Sequence, residues 1–269
     1  MIAASKNVEI MTVLNADCFS HERLLLSNMN VRLEALKQAD SLCLQTSDDD
    51  VDFKLNINSI VWYVRKYEIL SSMQLALEEK LANEAASYPI RRTAIQFEHI
   101  EAGRRQVHSL PLSTGQLPRR IVLGFISQEA YMGDWKANPF NFQHFNVKKM
   151  QLHAGGIPHP RSALEMDFAN KHYARAYLQM ITGLNTPLDG PGNGITYEGF
   201  GKGYALYVFD LTPDGSDSGL QLVKEGSVTL DVEFQEQVPA GGIKLVVYLE
   251  HQSVMYIDKN RDCFFDFTQ

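Results

Sequence analysis

From Ser227 to Gln235 every second residue is apolar: Val228, Leu230, Val232 and Phe234 alternate with Ser227, Thr229, Asp231, Glu233 and Gln235. Successive side chains of a strand point to opposite faces, so this run sets one face on a core and the other in water. A helix would scatter the same apolar residues around its circumference. The period recurs along the chain. Val31, Leu33 and Ala35 alternate with Arg32 and Glu34, and Phe53, Leu55 and Ile57 alternate with Asp52, Lys54 and Asn56, followed by the apolar run Ile60-Val61-Trp62-Tyr63-Val64. Residues 121–123 and, apart from Asp210, 204–211 are apolar on both faces, as central strands covered on both sides would be. A link holding Pro239, Gly241 and Gly242 leads from the 227–235 strand into 243–249, which reads as a hairpin.

Two segments break the alternation and predict helices. Residues 73–86 are rich in Leu, Ala, Glu and Lys, with Ser71 and Gln74 at capping-box spacing and Tyr88-Pro89 as a stop. Residues 163–181 carry Leu164, Phe168, Tyr173, Tyr177 and Ile181 as a stripe and end before Gly183. The expected fold class is therefore all-β with two short helices, built as two β-sandwich layers or domains. The expected division is a first β block over 1–70, a linking helix over 71–87 and a second β domain over 88–269. Long irregular stretches at 101–118, 131–146 and 185–201 hold most of the Gly, Pro and Asn, and such loops carry binding or assembly contacts.

With 269 residues and 45% hydrophobic content the chain can bury a proper core. Its net charge of -7 supplies no overall basic field toward nucleic acid or anionic membrane. Cys18, Cys43 and Cys263 are few, odd in number and far apart, which argues against a disulfide framework. The first residues lack a charged region followed by an apolar core of about seven residues, and no stretch reaches about 18 uninterrupted apolar residues. The expectation is a chain neither secreted by the standard route nor membrane-spanning.

Asp214-Gly215-Ser216-Asp217-Ser218-Gly219 with Glu225 has the acidic first and twelfth positions and central glycine of a calcium loop, so Asp214, Ser216, Ser218 and Glu225 are candidate ligands. Strands rather than helices flank it, and serines stand where Asp or Asn is usual, so a Gly-rich inter-strand loop is the favoured reading. The eight histidines show neither His-x-His nor helical i, i+4 pairing, and no nucleophile elbow or phosphate loop is present. No catalytic residue, cofactor or metal is expected, and the chain does not read as an enzyme. Three arginine pairs, Arg91-Arg92, Arg104-Arg105 and Arg119-Arg120, are candidates for contact with neighbouring subunits or packaged DNA, against ordinary salt bridges to the 32 acids. The loop bearing Trp135, Phe140, Phe142 and Phe145 either docks a partner, base or sugar, or folds inward as a hydrophobic plug.

Gly115-Gln116-Leu117-Pro118-Arg119-Arg120-Ile121-Val122-Leu123-Gly124-Phe125, then Ala130-Tyr131 and Asn138-Pro139-Phe140-Asn141-Phe142-Gln143-His144-Phe145-Asn146, resemble the hexon-like major capsid protein of Polinton/Maverick and adintovirus-type elements. Tyr63-Val64-Arg65-Lys66, Tyr88-Pro89-Ile90-Arg91-Arg92, Gly203-Tyr204-Ala205-Leu206 and Ile257-Asp258-Lys259-Asn260-Arg261 extend the match in order along the chain. The family's Pro-rich link is altered, reading Ile157-Pro158-His159-Pro160-Arg161-Ser162. The resemblance implies the C-terminal portion of a double jelly roll: a partial first jelly roll over 1–70 and a complete second one over 88–269. It implies a structural capsid protein, or a host-integrated remnant of one, that self-associates into trimeric capsomers with other capsid proteins, in a virion or inside the cell. Such a role needs managed sheet edges and broad apolar interfaces rather than a reactive group. The alternative is a lectin-like or calcium-binding jelly-roll module using the 131–146 and 214–225 loops.

Overall fold

A computed structural model describes residues 7–14, 16–19, 23–48, 52–184, 193–212 and 224–266. Its strands, in chain order, are β1 (Ala86–Ile100), β2 (Gln106–Gln116), β3 (Arg120–Ser127), β4 (Val147–Ala154), β5 (Ile157–Glu165), β6 (Leu206–Asp210), β7 (Glu225–Phe234), β8 (Ile243–Ile257) and β9 (Cys263–Phe265). The helices are α1 (Asp40–Cys43), α2 (Ser71–Asn83), α3 (Gln128–Met132), α4 (Ala174–Gly183) and α5 (Tyr197–Phe200).

One sheet has the order β1-β8-β3-β6 with β9 added to β8, and the other has the order β2-β7-β4-β5. The chain thus changes sheet at nearly every connection, with β4–β5 and β8–β9 as the exceptions. First-eighth-third-sixth facing second-seventh-fourth-fifth is the strand order of a jelly roll, the double-sheet wrapping of two Greek keys. The fold is an all-β jelly-roll sandwich with a few short helices.

The alternation of β7 does what its period requires. Val228, Leu230, Val232 and Phe234 are buried, together with Ile121, Leu123 and Phe125 of β3 and Ile243, Leu245, Val247 and Leu249 of β8. The Phe125 ring meets Phe234 of the facing sheet edge-on at 5.8 Å and Tyr207 of its own sheet at 6.2 Å. Edge-to-face packing of this kind adds specific attraction to the area buried. β3 is a true central strand: Leu123 faces Val247 on one side and Tyr207 on the other.

Several elements differ from expectation. β7 and β8 are not a hairpin, because they lie in opposite sheets and their link crosses the sandwich. Gly241 and Gly242 turn the chain there at φ 96° and 81°, and a Cβ on Gly242 would lie 2.8 Å from the Ile100 carbonyl oxygen. β6 is an edge strand rather than a central one. Its second flank is covered by α4, whose Gln179 side chain donates to the Val208 carbonyl at 2.8 Å.

The helix expected over 163–181 begins only at Ala174, because residues 157–165 form β5. Leu164 pairs across from Met150 and points into the core, so it belongs to a strand period and not to the helical stripe. The β4–β5 hairpin turns through Gly155 and Gly156 at φ 57° and 79°, the conformation a tight two-residue turn demands. Pro158 and Pro160 are tolerated because β5 is an edge strand. α2 forms near its expected place, but Ser71 is already its first residue, Leu70 holds the cap position, and no capping-box bond forms. It ends at Asn83, and Tyr88-Pro89 falls inside β1.

The strands expected at 31–35, 53–57 and 60–64 do not form. The described residues before Ser71 contain no strand. Their apolar patterns find no ladder among the described residues, and a segment without hydrogen-bonded neighbours is not a strand.

The chain divides into two compact units, a larger one of residues 33–66 and 93–252 and a smaller one of residues 1–32, 67–92 and 253–269. The smaller has its own core of Tyr88, Met255 and Ile257, with Leu25, Leu26 and Met29 packed around it. Arg23 donates to the Ser87 carbonyl at 2.6 Å, the Tyr88 hydroxyl donates to the Leu24 carbonyl at 3.0 Å, and Arg261 bonds both Ser27 and Glu78.

Candidate functional site

The loop between α3 and β4 carries the aromatic candidates. α3 is capped by the Ser127 hydroxyl, which accepts from the Ala130 amide at 3.2 Å, and is closed by Gly133 at φ 84°. The Asn138 side chain then accepts from the Phe140 amide at 2.9 Å, a local turn that swings Phe140 outward. Beyond it the backbone is clipped to the sandwich. The Phe142 amide donates to Gly203, the Ala205 amide donates to Phe142, and the Gln143 amide donates to Phe125, each at 2.9 Å. Phe142 and Phe145 are half-buried, and Phe145 packs on the main core. Trp135 is half-buried, meets Phe53 edge-on at 6.3 Å, and accepts the Thr46 amide on its carbonyl. Phe140, 70% exposed, is the candidate ring that faces water.

His144 anchors the end of this loop in a stack of rings. It lies flat on Phe168, 4.0 Å between centroids at 7°; Phe168 stacks on Tyr173 at 5.0 Å, and Tyr173 on Tyr197 at 4.4 Å. Phe200 and Tyr177 close the pile from the side. The His144 Nδ1 accepts the Asn146 amide at 2.9 Å, and burial holds its pKa below the ordinary histidine value. A neutral ring inside a π stack is a packing element. The Tyr177 and Tyr197 hydroxyls tie the pile to the Ile195 and Lys171 carbonyls, so these rings are satisfied by one another and by the backbone.

The arginine pairs have unlike surroundings. Arg91 grips Asp17 in the smaller unit with Nε at 3.1 Å and Nη2 at 2.8 Å, and Arg92 beside it is half-buried. Arg104 grips Glu101 through two nitrogens at 3.0 and 2.8 Å, while Arg105 is exposed. Arg119 and Arg120 are buried, with Arg120 Nη1 3.4 Å from the buried Glu250 carboxylate. Arg104-Arg105 immediately precede β2 and Arg119-Arg120 follow it. The eleven residues of β2 span roughly 35 Å at about 3.3 Å each, so these two pairs do not form one basic patch.

Of the calcium-loop candidates, Asp214, Ser216 and Ser218 lie outside the described residues. Glu225 is the exposed first residue of β7, opposite Gln116. Among the described residues no group of three metal-ligating side chains gathers, and no helix is long and apolar enough to cross a membrane.

One polar cluster carries no signal in the sequence. A register shift in β2 between Val107 and Leu110, with Ser109 at φ 50°, aims the Ser109 amide at Asp231 of β7, 2.7 Å away. The same carboxylate lies 3.2 Å from His153 of β4 and 3.8 Å from His108. These residues stand far apart along the chain and meet because β7 runs between β2 and β4.

No family model matches the chain. Among curated proteins it is 27% identical over 259 residues to an uncharacterized protein of Caenorhabditis elegans, covering 94% of this chain and 62% of that one. The chain therefore spans less than two thirds of that relative's length. Among solved structures it is similar to PBCV-1 VP54, fitted into a reconstruction of the virophage Sputnik, with 7% identity, TM-score 0.48, 75% of this chain and 55% of that chain covered. It is also similar to a chain of the PBCV-1 virus capsid, with 8% identity, TM-score 0.47 and coverage of 74% and 55%. A chain of the Sputnik virophage follows at 13% identity, TM-score 0.38 and coverage of 68% and 39%. The jelly-roll assignment stands on the strand order given above.

Proposed function

We propose that this chain is a structural capsid protein of the hexon-like kind, working by self-association into trimeric capsomers and needing no catalysis. The observation that carries this reading is the use made of the residues that resemble Polinton/Maverick capsid proteins. Asn138 to Asn146 are the segment clipped to Phe125, Gly203 and Ala205, and Arg120 to Phe125 start β3, a central strand of the jelly roll. The resembling residues thus build the sandwich and fasten the loop between α3 and β4. A jelly roll by itself also serves lectins and cupins, so fold alone does not decide.

In this reading residues 1–70 belong to a first jelly roll, 71–87 link it, and 88–269 are the second. Contacts with neighbouring capsid subunits fall to exposed apolar residues such as Phe140, Ile95 and Phe97. Any contact with packaged DNA falls to Arg104 and Arg105, since Arg119 and Arg120 are buried. The protein would reside in a virion when its element is active.

Sedimentation velocity with negative-stain microscopy of the purified chain tests the proposal. Trimers or larger shells are expected. A monomer whose melting temperature rises with calcium would replace this reading with the binding-module one. A monomer indifferent to calcium would overturn both.

A further inference from the structure

Asn193-Gly194 is the one Asn-Gly pair among the 269 residues, and both residues are exposed. A glycine after asparagine leaves the next main-chain nitrogen unshielded by a Cβ, so that nitrogen can reach the side-chain amide carbon. Gly194 has φ 77°, and a Cβ built on it would meet no described atom within 4 Å.

The fold adds a feature that the dipeptide alone lacks. Asn193 Oδ1 accepts the Ile195 amide at 3.1 Å, which curls the side chain back over its own main chain. Attack by the Gly194 nitrogen on Cγ places negative charge on that same oxygen, and a donor already aimed at it stabilises the charge as it develops. The bond also restrains Cγ close to the Gly194 nitrogen, which lowers the entropic cost of closing a ring between them.

Other residues make the same turn without the same chemistry. Asn138 accepts the Phe140 amide at 2.9 Å, but Pro139 follows it and has no N–H to lose. Asp134, Asp210 and Asp258 accept the amides of Lys136, Thr212 and Asn260. Each of these is a carboxylate with no ammonia to release, and Trp135, Leu211 and Lys259 shield the nitrogen that follows.

The chain just beyond the pair enters the aromatic stack. The Ile195 carbonyl accepts the Tyr177 hydroxyl at 3.0 Å, and Ile195 packs against the main core. The Thr196 hydroxyl accepts the Gly199 amide at 3.0 Å, and Tyr197 stacks on Tyr173 at 4.4 Å.

From these observations we infer that Asn193 is a site of spontaneous deamidation, and that its isoaspartyl product unfastens the aromatic stack. The Gly194 nitrogen gives its proton to solvent base and bonds to Asn193 Cγ, and Nδ2 leaves as ammonia with a proton from water. Water then opens the resulting succinimide. Addition at Cγ breaks the Cγ–N bond and yields aspartate; addition at the main-chain carbonyl carbon breaks the C–N bond there and yields isoaspartate. In sum a water is consumed and an ammonia released, with no oxidant or reductant. Aspartate keeps the main chain and an oxygen for the Ile195 amide. Isoaspartate inserts an extra main-chain carbon before Ile195 and so displaces the carbonyl that holds Tyr177.

The test incubates the purified full chain in mildly alkaline buffer and follows each asparagine by peptide mapping, with electron-transfer fragmentation to tell isoaspartate from aspartate. Asn193 is expected to convert several-fold faster than Asn58, an exposed asparagine followed by serine. Conversion should quicken as pH rises, because the Gly194 nitrogen must lose a proton. The isoaspartyl fraction, separated by chromatography, should melt a few degrees below fresh protein. Asn193→Asp keeps the turn and should melt with the wild type. Asn193→Gln, whose longer side chain closes the ring poorly, should hold its melting temperature through the same incubation. An Asn193 that stays an amide, or converts no faster than Asn58, overturns the assignment of the site. An isoaspartyl fraction that melts with fresh protein, or an Asn193→Gln chain that loses stability as fast as the wild type, overturns the link to the stack.

Discussion

β7 and residues 53–57 carry the same period, one apolar residue in two, and meet opposite fates. β7 lies between β2 and β4, and Val228, Leu230 and Val232 vanish from solvent. Among the described residues the other segment meets no neighbouring strand, and Phe53, Leu55 and Ile57 stay exposed. Alternation states which face wants burial; only a ladder on either side turns that demand into a strand. What a period of two fixes is therefore a requirement, and the partner that meets it is decided elsewhere in the chain or on another chain.

The largest expected effect tests that contrast directly. Leu230→Ala should destabilise the protein by about 3 kcal/mol, because a fully buried leucine leaves both a lost transfer term and a cavity. Ile57→Ala should cost less than about 0.5 kcal/mol in dilute monomer, as exposed substitutions do. Urea melts of both variants check this. A cost for Ile57→Ala near that of Leu230→Ala would mean that the segment is buried in the monomer, and the contrast would collapse.

How much could be read in advance follows the same division. β3, β7 and the first half of β8 were legible because their apolar periods survive in the sandwich. Their order was not, since the crossing from β7 to β8 and a hairpin turn use the same Pro and Gly residues. Leu164 misled because one leucine fits both the strand period that ends at Glu165 and the helical stripe that begins near Tyr173. The loop at 131–146 could be singled out from its aromatics, but which rings turn inward depends on backbone bonds to Phe125 and Gly203 that no local pattern encodes. The stack that holds His144 draws rings from 144 to 200, and the Asp231 cluster needs a bulge in β2. Both are products of topology. The period at 53–57 points to a strand just as that of β7 does, but among the described residues it meets no neighbouring strand.

A smaller effect sharpens the buried side of the contrast. Tyr207 is as deeply buried as the leucines around it, and its hydroxyl has no hydrogen-bond partner among the described residues. Burial pushes its pKa upward, the mark of a phenol kept from water. A buried hydroxyl left unbonded costs about 1 kcal/mol or more, so Tyr207→Phe should raise stability by about 1 kcal/mol. Destabilisation in a denaturant melt would mean that the hydroxyl does find a partner, such as a bound water.

The smallest effect concerns the loop end, where a polar ring has been packed as if it were apolar. Burial lowers the pKa of His144 from 6.5, so the folded state keeps it neutral while the unfolded chain takes up a proton as pH falls through about 6.5. The stabilisation is complete above that value and is lost as pH drops toward the lower folded-state pKa. Protonation would also remove the Nδ1 lone pair that accepts the Asn146 amide. His159, lowered by burial and by Lys224, adds a slope of the same sign. The carboxylates held low by hydrogen bonds, Glu233 to Lys148 and Asp167 to Asn170, act in the same direction but at more acidic pH. The melting temperature should therefore fall by a few degrees between about pH 7.5 and about pH 5.5. His144→Phe keeps the flat contact with Phe168 and should reduce that slope to the part due to His159, while losing some stability at the higher pH with the Asn146 bond. A variant with an unchanged slope would show that the ring is charged or wet in the native fold, and that the stack is a looser surface than its 4.0 Å spacing implies.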